Sequence, residues 1–528
     1  MNIHAGKRAM TAALALVLTA GLWAAGSKDA GSSAGAAAPS AEPYRFRFAY
    51  GPWDAGRGKV ELKDQPGNPY FQWVEQRLGV VPLTESWEWQ GGSGYVQSLR
   101  LALASGEKFE AIRPWDMQLT QELIDSGIAV PLDDLLDKYA PTVKAAFSKE
   151  QWDMVRAAGK GKIYYLPQYG HIPGLRAGLV RKDWLKRAGI DKVPETRQEY
   201  VAMLRAFKAK DANGNGDPAD EIPVSGREML RWFDDLFVMH GVVMYEGHPQ
   251  WKWNAAKGIF ESQQVSDDMK DAVAFIRELY AEGLMDNVMP VQKSADWQAK
   301  ISSDKVGTYF HLLGEVASYS KFVADKADKD ESGLSYWDVM PMPPQVEGKP
   351  RYKNVYPVVQ EPTLMITKYA KDPAAIMKWF EFSSTQEGQI FKDLGIEGKD
   401  YVREGNTFKV LNPLPAAQLR FLLGYTAYVP DVVRSTALGP AKVAMIDKVK
   451  AAGVQDLEAY NLPPATYKGF EDYAPATAKL YREYVSKMII GALPMSAWDD
   501  YVKEWYAKGG QTVTERATQW YKGIKGIK

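Results

Sequence analysis

The chain has 528 residues, of which 46% are hydrophobic and 25% are charged, as in an ordinary soluble globular protein. Its 65 basic and 65 acidic residues give a formal net charge of zero, which excludes a basic field that concentrates nucleic acid, so we expect no nucleic-acid partner. The length exceeds what one hydrophobic core supports and the chain has no cysteine, so we expect two or more domains that fold without disulfides.

The N-terminus has the pattern of an export signal. Lys7 and Arg8 precede an apolar run that is too short for a comfortable membrane span, which predicts a signal peptide over residues 1–25. The end of this run resembles the cleavage motif of bacterial lipoproteins, with Ala25 in place of the lipidated cysteine; a plain signal peptide is the alternative. Residues 26–42 are rich in Gly, Ala and Ser and predict a flexible linker. Either interpretation places the protein outside the cytoplasmic membrane, at the cell surface or in the periplasm.

Strand-like and helix-like segments alternate after the linker. The predicted strands are residues 44–51, 81–89 and 109–115, and the predicted helices are residues 71–79 and 95–106. This alternation predicts an α/β sheet rich in parallel strands, and ligands bind at the carboxyl ends of such strands. The rule selects as candidate ligand contacts, at or just beyond a strand end, Trp53, Trp87, Trp89, Arg113, Trp115 and Asp116.

The chain is rich in aromatic residues, with 17 tryptophans and 28 tyrosines. A sugar presents an apolar C–H face and a rim of hydroxyl groups, so a sugar site needs flat aromatic rings and planar polar groups. Trp87 and Trp89 would point to the same face of a strand and could supply such rings. Simple packing in the core is the alternative for each tryptophan.

Arg113 is the candidate that bears on the charge of the substrate. A guanidinium can bind a carboxylate through two parallel hydrogen bonds, so an acidic sugar such as a uronate is one interpretation. The alternative is a surface arginine paired with a nearby acidic residue.

A second α/β unit begins at about residue 175. Leu179 and Val180 end a short predicted strand, and a helix is predicted from Lys182 onward. The amphipathic segment 198–211 predicts another helix that leads into an oxygen-rich loop. From about residue 415 the apolar and aromatic residues recur at helical spacing, which predicts a helical C-terminal part whose aromatic residues are mostly core.

The loop over residues 211–223 has the composition of a calcium site. Oxygen-bearing side chains alternate at its start and Gly216 follows where a calcium loop needs a sharp turn, but Ile222 replaces the Glu that an EF-hand has at its twelfth position. The predicted Ca²⁺ ligands are the side chains of Asp211, Asn213, Asn215, Asp220 and Glu221 and the carbonyl oxygen of Asp217. A polar Asn-Gly turn without metal is the alternative.

Several segments together resemble a known family. In chain order they are KIYYLPQYG, GLVRKDWLKRAGI, RQEYVAMLRAFKAKDANGNGDPADEIP, KVGTYFHLLGE, VMPMPPQ and LMITKYAKDPAAIMKWFEF. They resemble family 1 extracellular solute-binding proteins of bacterial ABC importers, and most of all the large oligosaccharide and alginate binders. In the alginate binders the Asn-Gly-Asn-Gly loop holds calcium, so the resemblance also implies a structural Ca²⁺ here.

The resemblance implies an α/β, two-lobed fold of the class II periplasmic-binding-protein type. Each lobe would be a sheet flanked by helices, and the C-terminal part would be long and helical. The first lobe would hold residues 43–172 and 306–361, and the second lobe residues 173–305 and 362–528 with the calcium loop. The protein would be a monomer that closes its lobes on an oligosaccharide and delivers it to the permease subunits of an ABC transporter.

The resemblance also directs attention to the three places where the chain would cross between lobes. The residues expected there as ligand contacts are Gln168, Tyr169, His311, Gln360 and Glu361, and further contacts are expected from the second lobe at Trp232, Tyr425 and Tyr428. For His311, a neutral core histidine bonded to the backbone is the alternative.

Two other functions are compatible with export, aromatic platforms and calcium. A secreted glycoside hydrolase or lyase would need two acidic residues held across a cleft, and an adhesin would hold polysaccharide without transport. The one match to G-x-S-x-G, at residues 31–35, lies in the predicted flexible linker and not between a strand and a helix; the sequence has no H-E-x-x-H or P-loop motif, and its five histidines form no metal-ligand pattern. We therefore expect a binding protein and not an enzyme.

Overall fold

The computed structural model describes residues 42–50, 62–87, 92–168, 176–320, 322, 334–353, 355–359, 362–412, 436, 439–453, 457–470 and 472–528. Among the described helices, none combines the length and the apolar composition that a membrane crossing requires.

The structure alternates strands and helices through most of its length. The strands are β1 Tyr44–Tyr50, β2 Val80–Ser86, β3 Ala111–Ile112, β4 Leu166–Pro167, β5 Arg176–Arg181, β6 Ile222–Val224, β7 Met244–Tyr245, β8 His248–Pro249, β9 Trp251–Asn254, β10 Ile259–Ser262, β11 Val306–Leu312, β12 Trp337–Met340, β13 Val355–Pro357, β14 Pro362–Ile366, β15 Tyr401–Glu404, β16 Thr407–Val410 and β17 Leu457–Ala459. The helices are α1 Pro69–Leu78, α2 Ser93–Ala104, α3 Met117–Asp125, α4 Asp133–Tyr139, α5 Pro141–Ala145, α6 Lys149–Ala158, α7 Lys182–Ala188, α8 Arg197–Ala209, α9 Asp234–Val238, α10 Asp267–Ala281, α11 Ser294–Ser302, α12 Val316–Tyr319, α13 Pro373–Ser384, α14 Gln386–Leu394, α15 Pro440–Lys450, α16 Tyr473–Ile489, α17 Trp498–Trp505 and α18 Gln511–Lys525.

The first sheet has the strand order β2-β1-β3-β14-β4. β1 pairs in parallel with β2 and β3, whereas β14 is antiparallel to β3 and β4. Phe46 and Phe48 alternate along β1 and are fully buried, because a strand points every second side chain to the same face. Helix α1 connects β1 to β2; Asn68 caps its start and Gly79, at φ 66°, ends it in a left-handed conformation that glycine adopts without strain.

The second sheet has the strand order β12-β5-β11-β6. β11 is antiparallel to β5 and parallel to β6, and six of its seven residues are buried. The next helix after β5 is α7, and Thr196 and Glu199 then form a capping box that starts α8. The predicted α/β class, with sheets flanked by helices, is confirmed.

The sheets differ from the sequence-based lobe limits in two segments. The limits predicted from the sequence place β11 and β12 in the first lobe, but both strands pair with β5 in the second sheet. The same limits place β14 in the second lobe, but it pairs with β3 and β4 in the first sheet. Backbone pairing across a whole strand decides membership of a sheet, and these pairings were not visible from local sequence pattern.

The C-terminal helices pack beside the second sheet, on α10 and on the β9–β10 hairpin. Arg277 of α10 donates hydrogen bonds to the carbonyl oxygens of Met488 and Leu493, at 2.5 and 2.7 Å. Phe260 of β10 stacks on Tyr521 of α18, with ring centres 4.2 Å apart. The predicted helical C-terminal part is confirmed, and these aromatic residues serve the core.

Candidate ligand-binding site

An aromatic cluster lies at the end of β11. It consists of His311 and four rings from β11, α11, α12 and the loop before α9, and we call it the His311 cluster: Trp232, Trp297, Tyr309, His311 and Tyr319. The His311 ring centre lies 4.1 Å from that of Trp232, 5.5 Å from Trp297 and 5.3 Å from Tyr319. Trp232 and Trp297 are nearly parallel, with an interplanar angle of 21°. His311 and Trp232, selected separately from the sequence, are thus in direct contact.

His311 is a neutral ring in this environment. Its residue is 4% exposed, and burial, followed by the positive charge of Arg176, lowers its pKa to about 3. Its Nδ1 atom lies 3.4 Å from the carbonyl oxygen of Leu312, a long contact. Because the ring stays uncharged at neutral pH, it extends the apolar aromatic surface instead of presenting a cation.

The loop that carries Trp232 holds an unusual backbone. Met229, Leu230 and Trp232 all have positive φ angles, between 58° and 71°, which cost free energy for residues other than glycine. Backbone strain of this kind persists only where surrounding contacts fix it, and it concentrates at functional sites. We call residues 226–232, which include Arg227 and Arg231, the arginine loop.

Contacts on both sides fix the arginine loop. Arg227 and Arg231 exchange backbone hydrogen bonds of 2.9 and 3.2 Å across its base. Gln292 accepts from the N–H of Glu228 through its own carbonyl oxygen and donates its side-chain amide to the carbonyl of Gly226 at 2.8 Å. Gly247 is also required nearby, because a Cβ there would lie 2.4 Å from the carbonyl oxygen of Met229. The loop is therefore built to present Trp232 in one orientation.

Charged residues that the sequence did not single out lie near the same cluster. Arg176, the first residue of β5, pairs with Glu246 at 2.5 Å and stacks on the ring of Tyr245 at 4.3 Å. Burial opposes ionisation of Glu246, but Arg176 and Arg231 outweigh it and lower its pKa to about 2.

Two further buried acidic residues follow the arginine loop. The carboxylate of Asp234 accepts the backbone N–H groups of Glu246 and Gly247, at 2.7 and 3.0 Å. Burial raises the pKa of Asp234 to about 6, and burial with the neighbouring Asp234 charge raises that of Asp235 to about 7. Both carboxyl groups line a small cavity that also contacts Arg176 and Phe310. No local sequence signal marks this group, because its members come from separate strands and loops.

Three candidates at the carboxyl end of β3 lie where the strand-end rule placed them, but each has a structural contact. Arg113 is buried, with its guanidinium 5.1 Å from the ring centre of Tyr50 and 4.5 Å from that of Trp115. Asp116 caps α3 by accepting the N–H of Leu119 at 2.8 Å. These contacts account for Arg113 and Asp116 by packing and capping, and their role in ligand binding stays a prediction.

Trp87 and Gln168 are half-buried. Trp87 packs against Tyr95 and Phe109, with ring centres 6.1 and 5.8 Å away. Gln168 follows β4, and its Oε1 atom is buried without a hydrogen-bond partner among the described residues. An unsatisfied amide oxygen is suited to accept from a sugar hydroxyl or a water molecule. The other predicted ligand contacts lie outside the described residues: Trp53, Trp89, Tyr169, Gln360, Glu361, Tyr425 and Tyr428.

The predicted calcium ligands come together in one hydrogen-bonded loop. Asp220 accepts the side-chain amides of Asn213 and Asn215, at 2.8 and 3.1 Å. Asp211 accepts the backbone N–H groups of Asn215 and Gly216, at 2.9 and 2.8 Å. The loop therefore brings side chains separated by up to nine positions into one small volume.

The other two predicted ligands, Glu221 and Asp217, do not take part in these hydrogen bonds to Asp220 and Asp211. Burial raises the pKa of Glu221, whose Oε2 atom is buried without a hydrogen-bond partner among the described residues. The side chain of Asp217 accepts the N–H of Ala219 at 3.1 Å. Lys305 lies 3.4 Å from Asp220. Within the described ranges, no group of three or more His, Cys, Asp or Glu side chains is arranged so that it could hold a metal ion.

Comparison with known proteins identifies relatives over nearly the whole chain. The family model described as "Bacterial extracellular solute-binding protein" matches residues 83–390, more than half of the chain. The fructooligosaccharide ABC transporter substrate-binding protein FusA of Streptococcus pneumoniae serotype 4 is 25% identical, over 93% of this chain and 94% of its own length.

Solved structures share the fold. The alginate-binding protein AlgQ2, in a structure without calcium ion, superimposes with a TM-score of 0.69 at 19% identity, covering 91% of this chain and 98% of AlgQ2. An EF-hand mutant of FusA in complex with fructo-nystose superimposes with a TM-score of 0.67 at 21% identity, covering 92% of this chain and 100% of that chain. The two-lobed fold expected from the sequence is confirmed.

Proposed function

Because the chain belongs to the family of bacterial extracellular solute-binding proteins, we propose that it captures an oligosaccharide outside the cytoplasmic membrane and delivers it to an ABC-transporter permease. The observation that carries the proposal is the His311 cluster, in which the flat uncharged rings of Trp232, on the arginine loop, and His311, on β11, lie in contact. Such rings suit the C–H face of a sugar, and FusA, a relative that matches 93% of this chain, is a fructooligosaccharide ABC transporter substrate-binding protein.

Binding would proceed by closure of the two lobes. We propose lobes that follow the sheets: residues 43–168 with 362–412 around the first sheet, and residues 176–357 with 440–528 around the second. A ligand that contacts both lobes stabilises the closed arrangement, since it binds that state better than the open one. The permease would recognise the closed form, and the protein would act as a monomer.

The family is defined by solute binding, not by catalysis. The hydrolase and lyase alternatives are therefore set aside, and the protein is not an enzyme. The adhesin alternative differs in its ligand, because lobe closure requires a short soluble oligosaccharide and not a long polymer.

The test is calorimetric titration of the purified protein with a panel of neutral and acidic oligosaccharides, and with the polymers from which they derive. We expect at least one short oligosaccharide to bind with a Kd of about 1 µM or lower, equivalent to about −8 kcal/mol. Mass spectrometry of the recovered sugar should show it unchanged. Cleavage of the sugar would support an enzyme, and binding of polymer alone would support an adhesin.

We also propose that the 211–221 loop holds a structural Ca²⁺. Its donors are hard oxygen atoms, and the buried unpartnered Oε2 of Glu221 is suited to a cation. Rotation of the Asn213 and Asn215 amides by half a turn presents their oxygens where their nitrogens now meet Asp220. When bound, the ion would neutralise these carboxylates and fix the loop. Ile222, at the end of the loop, donates its backbone N–H to the carbonyl oxygen of Lys305 just before β11, so the ion would stabilise the base of the strand that carries His311.

A further inference from the structure

Three arginines come together beside the His311 cluster. Arg227 and Arg231 belong to the arginine loop, and Arg482 lies on α16. Arg227 is 5% exposed, and its guanidinium lies 5.9 Å from the ring centre of Trp232. The Nε atoms of Arg227 and Arg231 are both buried and have no hydrogen-bond partner among the described residues. Buried donors without partners are rare in folded proteins, so two in one loop require an explanation.

The acidic residues around these arginines are shared with other cations. Glu246 pairs with Arg176 at 2.5 Å, and Glu228 forms ion pairs with both Lys293 and Arg227, the latter at 3.6 Å. Within the part of the chain that the structure describes, neither Arg231 nor Arg482 forms an ion pair. The group therefore carries more positive charge than its neighbours neutralise.

The electrostatic behaviour of the arginines agrees with this geometry. Burial, followed by the charge of Arg231, lowers the pKa of Arg227 to about 10. Burial and Arg231 likewise lower the pKa of Arg482 below its ordinary range. An arginine responds in this way where its charge is desolvated and repelled, and a nearby anion would remove the repulsion.

The arginine loop is also fixed before any ligand arrives. Its strained backbone is bonded to Gln292 and closed by the Arg227–Arg231 backbone pair. A rigid pair of guanidinium groups loses little conformational freedom on binding, and each can donate two parallel hydrogen bonds to one carboxylate. The same loop presents Trp232, so an anion bound by the arginines would lie next to a sugar ring on the aromatic cluster.

We propose that Arg227, Arg231 and Arg482 bind a negatively charged group of the sugar, a uronate carboxylate or a sulfate ester, and so make the protein selective for acidic oligosaccharides. The inference rests on the proposed function, since it assigns the substrate class of the same site. It also differs from the sequence-based assignment of substrate charge to Arg113, which the structure buries between two aromatic rings.

The test compares sugars that differ only in charge. Wild-type protein is titrated with oligogalacturonates and oligomannuronates of three to five units, with their carboxyl-reduced neutral counterparts, and with sulfated oligosaccharides of the same length. We expect at least one acidic ligand to bind at least about 10-fold more tightly than its neutral counterpart, with a difference that shrinks as salt is raised. Tighter binding of the uronate oligosaccharides would identify a carboxylate as the bound group, and tighter binding of the sulfated oligosaccharides would identify a sulfate ester.

Variants then assign the preference to these residues. Arg231→Gln and Arg482→Gln should each weaken binding of the acidic ligand by about 10- to 50-fold and that of the neutral counterpart by less than about 3-fold. Arg227→Gln should do the same if its melting curve shows that it folds. If this buried position does not tolerate the change, the variants of the half-exposed Arg231 and Arg482 decide the outcome. Lys487→Gln is the matched control, because it removes one exposed positive charge from the same helix and should leave the preference unchanged.

Each result distinguishes this inference from the proposed function. Loss of the acid preference in the arginine variants supports the inference. Equal binding of charged and neutral sugars by wild-type protein, or an acid preference that survives all three substitutions, overturns it and leaves the proposed function standing. Absence of binding to every short oligosaccharide, charged or neutral, contradicts both.

Discussion

Replacement of Trp232 by alanine is expected to weaken oligosaccharide binding by about 30- to 100-fold, equivalent to about 2–3 kcal/mol. The physical reason is the loss of a flat ring that contacts His311 at 4.1 Å and stands on a backbone fixed for its presentation. Titration calorimetry or quenching of tryptophan fluorescence would measure the change. Trp232→Phe keeps a flat ring and should retain affinity within about 5-fold.

The same substitution removes a nearly buried side chain, so its effect on stability must be separated from its effect on binding. Trp232 is 7% exposed, and a truncation of this kind costs about 3 kcal/mol of folding free energy. Trp253→Ala is a matched control, because Trp253 stacks on Tyr521 at 5.6 Å, in the hairpin packed by the C-terminal helix. That variant should lose stability and keep wild-type affinity. Unchanged affinity in Trp232→Ala would assign Trp232 to the core alone.

Removal of calcium is expected to lower the unfolding free energy by about 3 kcal/mol when the free ion is present at about 100 times its Kd. For a lobe of this size the melting temperature should fall by roughly 5–10 °C on addition of a chelator and recover with Ca²⁺. The cause is the loss of an ion that neutralises Asp211, Asp220 and Glu221 within one loop. Differential scanning calorimetry would measure the shift.

Two variants assign the effect to the loop. Asp211→Ala should melt at a lower temperature than wild type and no longer respond to the chelator, because it loses a predicted ligand. Asp217→Ala should keep the full response, since only the backbone carbonyl of Asp217 is a predicted ligand and its side chain accepts from Ala219. Identical melting curves of the wild-type protein with chelator and with Ca²⁺ would show that the loop is a polar turn without metal.

The elements that rest on local pattern could be predicted from the sequence. β1, α1 and the helix after Thr196 follow from alternating apolar residues, an Asn cap, a terminal glycine and a capping box, all of which act over a few residues. The aromatic contact between Trp232 and His311 could be anticipated only as two separate candidates. Their meeting depends on how β11 pairs with β6, the strand before the arginine loop, and on the hydrogen bond from the Phe310 N–H to the Trp232 carbonyl oxygen; both are long-range contacts.

The arginine loop shows why the rest could not be predicted. Met229, Leu230 and Trp232 are not residues that favour a positive φ, so nothing in the sequence marks the loop as strained. Its conformation follows from contacts with Gln292 and Gly247, which are distant in the chain. The predicted lobe limits differ from the sheets for the same reason, because strand pairing joins segments that are distant in the chain. Pairing, and not composition, places β11 in the second sheet and β14 in the first.

Small-angle X-ray scattering with and without a bound oligosaccharide tests lobe closure most directly. We expect the radius of gyration to fall when a short oligosaccharide saturates the site, and to stay unchanged with a sugar that has no measurable affinity. The recovered sugar should have its original mass. An unchanged radius of gyration at full occupancy would contradict capture by closure of the two lobes.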